Sequence, residues 1–413
     1  MLVLVALLAV IIIPMLAYYT GLASSAATGT AAVGALLIFT RVQYLVDQDW
    51  SHRRMDFQHR MTPTVLLSVT IALIVAHAAV AWIYQPFDAQ HFAASLAPLA
   101  LILLAGCCLG NMLHNATDRQ VERAIRYCFL FFCICALGGL LGLSPPSARP
   151  TPKPVFPFNE PSHFGIIFTP FLIFCCVRFR GWARYAVWFA GFLIAASLEN
   201  LTLVAGCGLA ALAFVRGIAI LPVLALATGV GMAVDLSYYL GRVDFSTDNS
   251  NLSALAYLQG WQLIGESLER SAGWGLGFQQ LGLHGTDVPA AQIIFAQIGD
   301  SENLLDGDFT LAKLVSEFGV FGVGLTLVFL RLWWRSIRSL RRIANGANAS
   351  AVETFAISVI AGYFIELFIR GEGYFTGSGL LLIAALWLMT ARGKEAAAEH
   401  PAEAEWHQAA GSA

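Results

Sequence analysis

Apolar stretches long enough to cross a lipid bilayer recur along this chain, and they constrain its fold more than any motif does. An α-helix rises 1.5 Å per residue, so about 20 apolar residues cover the roughly 30 Å hydrocarbon core of a membrane. Inside lipid no water is present to bond a free peptide group, so stretches of this length are read as helices. Twelve can be drawn, over residues 2–19, 22–40, 63–84, 95–113, 126–143, 163–178, 185–198, 201–215, 217–235, 309–332, 351–369 and 378–391. Only 12% of the 413 residues are charged, about half the share found in soluble domains. The expectation is an all-α polytopic membrane protein with about twelve transmembrane helices. Residues 1–391 form a single integral membrane domain, with one long loop at about 236–308 between the ninth and tenth helices. Residues 392–413 form a disordered, Ala/Glu-rich cytoplasmic tail.

The basic residues orient these helices. With the N-terminus inside, 18 of the 24 Lys and Arg residues fall on the cytoplasmic side. The other six, Arg149, Lys153, Arg242, Arg270, Lys313 and Arg370, fall outside. This bias is the one the positive-inside rule requires, and it places both termini in the cytoplasm and the long loop outside. Leu2–Tyr19 lacks a basic flank and a small-residue cleavage site, so it is expected to be a retained first helix. The basic run RLWWRSIRSLRR at 331–342 would lie against anionic lipid. A net charge of −2 gives no argument for a nucleic-acid partner. All eight cysteines fall in apolar stretches without metal-ligand spacing, where they act as small hydrophobes.

The largest supply of Asp, Asn, Gln and Gly between apolar stretches runs from about Asp235 to Asp308. Within it, Leu252 to Leu268 carries apolar residues at helical spacing and is expected as an amphipathic helix lying on the surface. Gly273, Gly275 and Gly277 would end any helix, and the rest to Gly307 is expected to be irregular. A stiff, proline-rich segment from Ser144 delivers Asn159-Glu160-Pro161-Ser162 to the head of the sixth apolar stretch. There Asn159 or Glu160 can cap the helix with Pro161 in its first turn.

Ionisable groups within or at the ends of membrane helices are costly and mark functional candidates. On the outer side these are Glu160, Glu199, Asp235, Asp308, Lys313, Glu317, Glu366, Arg370 and Glu372, which could converge on one outward cavity. Arg370 lies in FIRGEGYFTG, where its guanidinium can offer paired donors to phosphate or pair with Glu366 four residues earlier. Lys313 and Glu317 are also four apart and can pair on one helical face. Asp308 can cap its helix or serve as a general base at the membrane boundary. Glu160 and His163 straddle the Pro161 turn, and His163 suits an interface hydrogen bond better than the role of base. Arg242 and Arg270, the two arginines of the long loop, can bind an anion or merely balance its acidic charge. Asp306 and Asp308 lack further metal ligands, and no Walker, dinucleotide or zinc motif is present, so neither metal nor cofactor is expected. A secondary transporter would place its charges near the midplane on broken helices, commonly within internal repeats; no repeat is visible here.

Four stretches are familiar in combination: FNEPSHF (158–164), LAYLQGWQ followed by GWGLGFQQLG (255–282), GDFTLAKLVSEFGVFG (307–322) and FIRGEGYF (368–375). In this order, with one long outer loop before the third-last apolar stretch, the chain resembles the bacterial O-antigen polymerase family (Wzy type), related to the O-antigen ligases. The resemblance covers about residues 145–385. It implies a GT-C-like helical fold in the bacterial inner membrane. It also implies a metal-independent glycosyltransferase that passes a growing glycan from undecaprenyl pyrophosphate to the sugar of a new lipid-linked repeat unit at the periplasmic face. The implied partners are undecaprenyl-pyrophosphate-linked glycans and the bilayer, with a chain-length regulator as a further candidate. Arg370, Arg242, Arg270, Lys313 and Tyr374 would bind pyrophosphate and substrate, Asp308 or Glu160 would take the proton, and Glu317, His163 and Glu372 would support them. Ligases of this kind carry a histidine at the head of the helix leading to Glu-x-Gly. Anchored on Glu317 and Gly319, that position here is Asp308, which favours polymerase over ligase. The arginine often seen early in the loop's amphipathic helix is absent from Asn251–Leu268. Ligase-type transfer to another acceptor, and a transporter or flippase, are the alternatives.

Overall fold

The computed structural model describes residues 1–23, 25–54, 63–145, 147, 154–215, 251–283, 287–299 and 304–399. Among the described residues, eight helices lie before position 216: α1 (Leu2–Tyr19), α2 (Ala26–Arg54), α3 (Pro63–Tyr84), α4 (Ala89–His114), α5 (Asp118–Leu140), α6 (Pro161–Arg178), α7 (Trp182–Ser197) and α8 (Leu201–Phe214). Then come α9 (Leu252–Arg270), α10 (Pro289–Ile298), α11 (Thr310–Phe318), α12 (Val320–Ala344), α13 (Ala351–Gly362), α14 (Phe364–Phe368) and α15 (Gly377–Glu399). Among the described residues the only β pairing is an isolated bridge between Val155 and Phe158.

Seven helices among the described residues are long and apolar enough to cross a membrane: α1, α3, α4, α5, α6, α12, and α13 running on into α14 as Ala351–Phe368. The chain is therefore an α-helical polytopic membrane protein. Helices α2, α7, α8 and α15 occupy four more of the expected positions, three of them with shorter apolar stretches at Ala26–Val42, Leu201–Phe214 and Gly377–Ala391. The expected ninth helix at 217–235 lies outside the described residues, as do 400–413 of the expected tail. Helix α15 continues to Glu399, past the position where the sequence suggests the tail begins.

Helix α6 is the axis of the bundle. It is apolar all round, and 78% of it is buried among other helices. It packs on α8, α13, α7 and α5. Phe168 stacks on Phe164 and on Phe129 of α5, Phe164 and Phe171 meet Phe132 of α5 edge-on, and Phe171 and Phe174 pack against Phe355 of α13. Such pairs add roughly 0.5–1.5 kcal/mol each beyond burial, and they fix which end of α6 faces which neighbour. Glu160 heads this helix and Arg178 closes it. At the Arg178 end, Arg178 bonds Glu122 and the Ala349 carbonyl, Arg184 bonds the Ala344 carbonyl, and Arg341 bonds that of Leu212. The arginine-rich helix ends thus gather at one end of the bundle and Glu160 lies at the other.

Three local expectations are corrected. The apolar stretch 309–332 is not one helix, because Gly319 breaks it into α11 and α12 with φ 56° and ψ −131°. A Cβ there would sit 2.0 Å from the Gly273 carbonyl oxygen and 2.4 Å from Trp274 backbone atoms. The break is enforced by the loop Ser271–Leu283, whose Leu276 and Gly277 N–H groups bond the Ser316 and Glu317 carbonyls at 2.9 and 2.8 Å. Second, the loop segment expected to be irregular contains α10, with Pro289 in its first turn and left-handed Gly299 as its C-cap. This is the proline-first, glycine-last pattern of a short helix. Third, Glu160 is the N-cap residue of α6 with Pro161 next, but its side chain does not cap the helix; it turns toward Arg370. The amphipathic helix is present as α9, burying Leu255, Gln259 and Leu263, and Gly273, Gly275 and Gly277 after it all take positive φ.

Gly319→Ala is expected to destabilise the protein by about 1–3 kcal/mol, since backbone atoms cannot yield as a side chain can. Thermal unfolding in detergent, followed by tryptophan fluorescence, measures this; an unchanged midpoint would refute the close approach.

Candidate functional site

The site forms where three chain segments meet at the Glu160 end of α6. The first is the tight turn 155–160, in which Val155 and Phe158 exchange backbone hydrogen bonds of 3.1 and 2.6 Å before α6 begins. The second is Asp306–Lys313, leading into α11. The third is the strap Ile369–Thr376 between α14 and α15. The Gly371 N–H bonds the Asp308 carbonyl at 2.8 Å, which pins the strap to the head of α11. A Cβ on Gly371 would come within 2.6 Å of Thr310 Oγ1, so only glycine lets the two backbones lie this close.

Arg370 is the centre. Its guanidinium donates to an Asp308 carboxylate oxygen and, at 3.2 Å, to Glu160 Oε2. Asp308 is 2% exposed and has a left-handed backbone, φ 66°, a conformation that Asp and Asn tolerate better than most residues. The N-cap of α11 is Phe309, whose side chain makes no cap bond, and the Asp308 carboxylate one residue earlier is directed at Arg370. Nor does Arg370 pair with Glu366. That carboxylate is fully buried beneath the strap and accepts from Thr376 Oγ1 at 3.0 Å.

His163, in the first turn of α6, stands between two carboxylates. Its Nδ1 is 3.1 Å from Glu372 Oε1 and its Nε2 is 3.9 Å from Glu160 Oε2. Glu160 also accepts from Ser162 Oγ at 2.9 Å. Burial pushes the Glu160 carboxyl up, but His163, Arg370 and these hydrogen bonds outweigh it and hold it at about 2. Burial pushes Glu372 up, with Glu160 and Asp306 adding to the rise against His163 and Arg370. Because the folded-state value of Glu160 is depressed, its stabilising contribution is complete above the ordinary value of 4.5 and is lost as pH falls toward about 2. The stability difference between wild type and Glu160→Gln should therefore shrink as pH falls from about 5 toward 2. Unfolding midpoints measured across this range test it; a difference that persists undiminished at the acid end would contradict the assignment.

A second cluster lies alongside. Lys313 Nζ donates to the Leu305 carbonyl at 2.7 Å and to Asp306 Oδ1 at 3.0 Å, and lies 3.9 Å from Glu317 Oε1. Its closest anionic partner is therefore Asp306, and Glu317 is a longer contact. Asp306 and Asp308 serve different cations, which separates the two carboxylates of the DxD-like sequence. The Lys313 ammonium sits 5.4 Å from the centre of the Tyr374 ring, which stacks on Phe278 at 5.7 Å. The Tyr374 hydroxyl and the backbone N–H groups of Gln279 and Leu281 face the fully buried Glu317. The loop 271–283 is further anchored to α3 and the start of α4. His77 and Trp274 stack at 5.2 Å and exchange bonds with each other's carbonyls, and the Gln280 side chain bonds the Asp88 backbone at 2.7 and 3.2 Å.

Of the residues singled out from sequence, the structure brings together Arg370, Asp308, Glu160, His163 and Glu372, with Lys313, Glu317 and Tyr374 beside them. Arg270 is set apart: it lies exposed at the C-terminal end of α9, where its charge acts on Glu266. Arg242 lies outside the described residues. Sequence reasoning missed Ser162, the role of Asp306 as the partner of Lys313, and the anchoring pairs His77–Trp274 and Asp88–Gln280. Of these only Ser162, two residues from Glu160, carried a local signal.

Fold and site define an α-helical membrane protein with a partly buried arginine–carboxylate centre at one end of its bundle. Compared with known protein families, characterised proteins and solved structures, the chain matches none.

Proposed function

We propose that this protein is a polymerase of lipid-linked oligosaccharide repeat units. It would transfer a growing glycan from undecaprenyl pyrophosphate to the sugar of a new lipid-linked unit. The carrying observation is Arg370, a guanidinium held by carboxylates from two other segments at the head of a membrane helix. Its Nε is buried without a hydrogen-bond partner. A departing pyrophosphate needs a preorganised cation where its charge develops, and a planar fork already aligned by two carboxylates supplies one. A site at the end of an apolar bundle suits substrates whose lipid tails stay in the membrane. Lys313 is a second cation, held over the Tyr374 ring.

The same reading orients the protein in the bacterial inner membrane, the arginine-rich helix ends toward the cytoplasm and the site toward the periplasm. The charged groups gather at one end of α6 and away from its middle, which favours an enzyme over a transporter. Asp308 and Glu160, the carboxylates first considered for the proton, both lie against the guanidinium. Their proposed role is to aim Arg370.

The test is a glycan ladder on a gel from a strain deleted for this gene. If deletion leaves single-repeat glycan on its final acceptor and the wild-type gene restores the ladder, the protein is the polymerase. If deletion removes all attached glycan while long lipid-linked chains accumulate, it is a ligase and this reading fails.

A further inference from the structure

We propose that His163 is the group that takes the proton from the attacking hydroxyl and that Glu372 orients it, an inference that rests on the glycan-transfer reading above. His163 Nδ1 lies in ion-pair contact with Glu372 Oε1 at 3.1 Å, and Nε2, across the ring, faces Glu160. A partly buried carboxylate beside one imidazole nitrogen favours the proton there and leaves the other nitrogen as the basic edge. Nε2 and Glu160 Oε2 are 3.9 Å apart, too far to bond each other and close enough for one hydroxyl to touch both. His163 keeps 15% of its side chain exposed.

The other candidates are occupied. Asp308 is 2% exposed and engaged by Arg370. Glu160 accepts from both Arg370 and Ser162, and a carboxylate held at about 2 is a weak base. The charges facing the imidazole are Glu160 at the head of its own helix and Glu372 and Arg370 from the strap. Asp308 lies behind Arg370, and Asp306 acts on Glu372.

In the transfer, the acceptor hydroxyl oxygen forms a bond to the anomeric carbon of the donor glycan while its proton passes to Nε2. The bond from that carbon to the pyrophosphate oxygen breaks, and its electron pair leaves with the lipid pyrophosphate beside Arg370. Imidazolium forms between two carboxylates, which stabilise it. It then returns the proton to water.

The test uses full-length protein in liposomes and the undecaprenyl-pyrophosphate-linked repeat unit extracted from the deletion strain. His163→Gln should slow elongation by about 10²- to 10⁴-fold and abolish the acid limb of the pH–rate profile. Glu372→Gln should lower kcat by about tenfold or more with KM unchanged, and Glu372→Asp should recover part of that loss, as a positioning residue requires. If His163→Gln does not yield folded protein, the Glu372 pair decides alone. Wild-type elongation together with a normal rate and acid limb in His163→Gln, or no kcat effect in Glu372→Gln, overturns this inference and leaves the polymerase reading standing. Failure of the wild type to elongate at all overturns both.

Discussion

Arg370→Ala is expected to abolish long-chain glycan in a complemented deletion strain, leaving only single-repeat product. Two effects combine. The site loses the cation that would receive the departing pyrophosphate, where removal of one preorganised donor typically costs 10²–10³ in rate. It also leaves Asp308 and Glu160 facing each other without a cation, and removing one partner of a buried ion pair costs about 3–5 kcal/mol. Arg370→Lys separates these effects. An ammonium preserves the charge and most of the stability, yet as a point charge it cannot hold the two carboxylates in the plane of a fork. The lysine variant should therefore accumulate in the membrane near wild-type level while elongation falls by about 100-fold. Membrane immunoblots beside the glycan gel check both, and a full ladder from the lysine variant would sink the role assigned to the guanidinium.

Asp308→Asn is expected to give the second largest loss. Asparagine adopts the left-handed backbone of this position about as readily as aspartate does, so the strap stays bonded through the carbonyl to Gly371. What disappears is the negative charge that aims Arg370. Elongation should fall about 10²-fold with the acid limb of the pH profile retained, because the proton is taken by His163. Asp308→Ala should lose the same activity and a further ~1–2 kcal/mol of stability, the cost of the left-handed region for a residue without a short polar side chain to bond the local backbone. Loss of the acid limb in Asp308→Asn would return the role of base to Asp308; wild-type elongation would show that the Asp308–Arg370 pair serves packing alone.

Several parts of this site were legible before any tertiary structure. An ionisable residue at the end of an apolar helix is conspicuous because so few are tolerated there, which drew attention to Arg370, Asp308, Glu160 and Glu372. The four-residue spacing of Lys313 and Glu317 put both on one helical turn, and they do lie side by side. The amphipathic period of α9 was equally plain. Less was legible where the backbone changes direction. Gly319 sits inside an unbroken apolar run, and nothing in that run says that the helix must stop so that Gly273 and Trp274 can press against it. Helix α10 is too short for its period to stand out from the surrounding loop.

The sequence by itself determined that this is an α-helical membrane protein and which ionisable residues lie within or beside its apolar stretches. Those properties follow from hydropathy and from the cost of charge in lipid, both carried locally by composition. Only the tertiary structure decided the partners. Arg370 reaches Asp308 across 62 residues and Glu160 across 210, and it turns away from Glu366, its neighbour one helical turn back. Lys313 takes Asp306 and the Leu305 carbonyl as its nearest partners, ahead of Glu317 at the helical spacing. The reason is that a buried charge must find its counter-charge wherever packing brings one within hydrogen-bond reach, and packing is set by the interlocked aromatic faces of α5, α6 and α13, which no local pattern in the chain records.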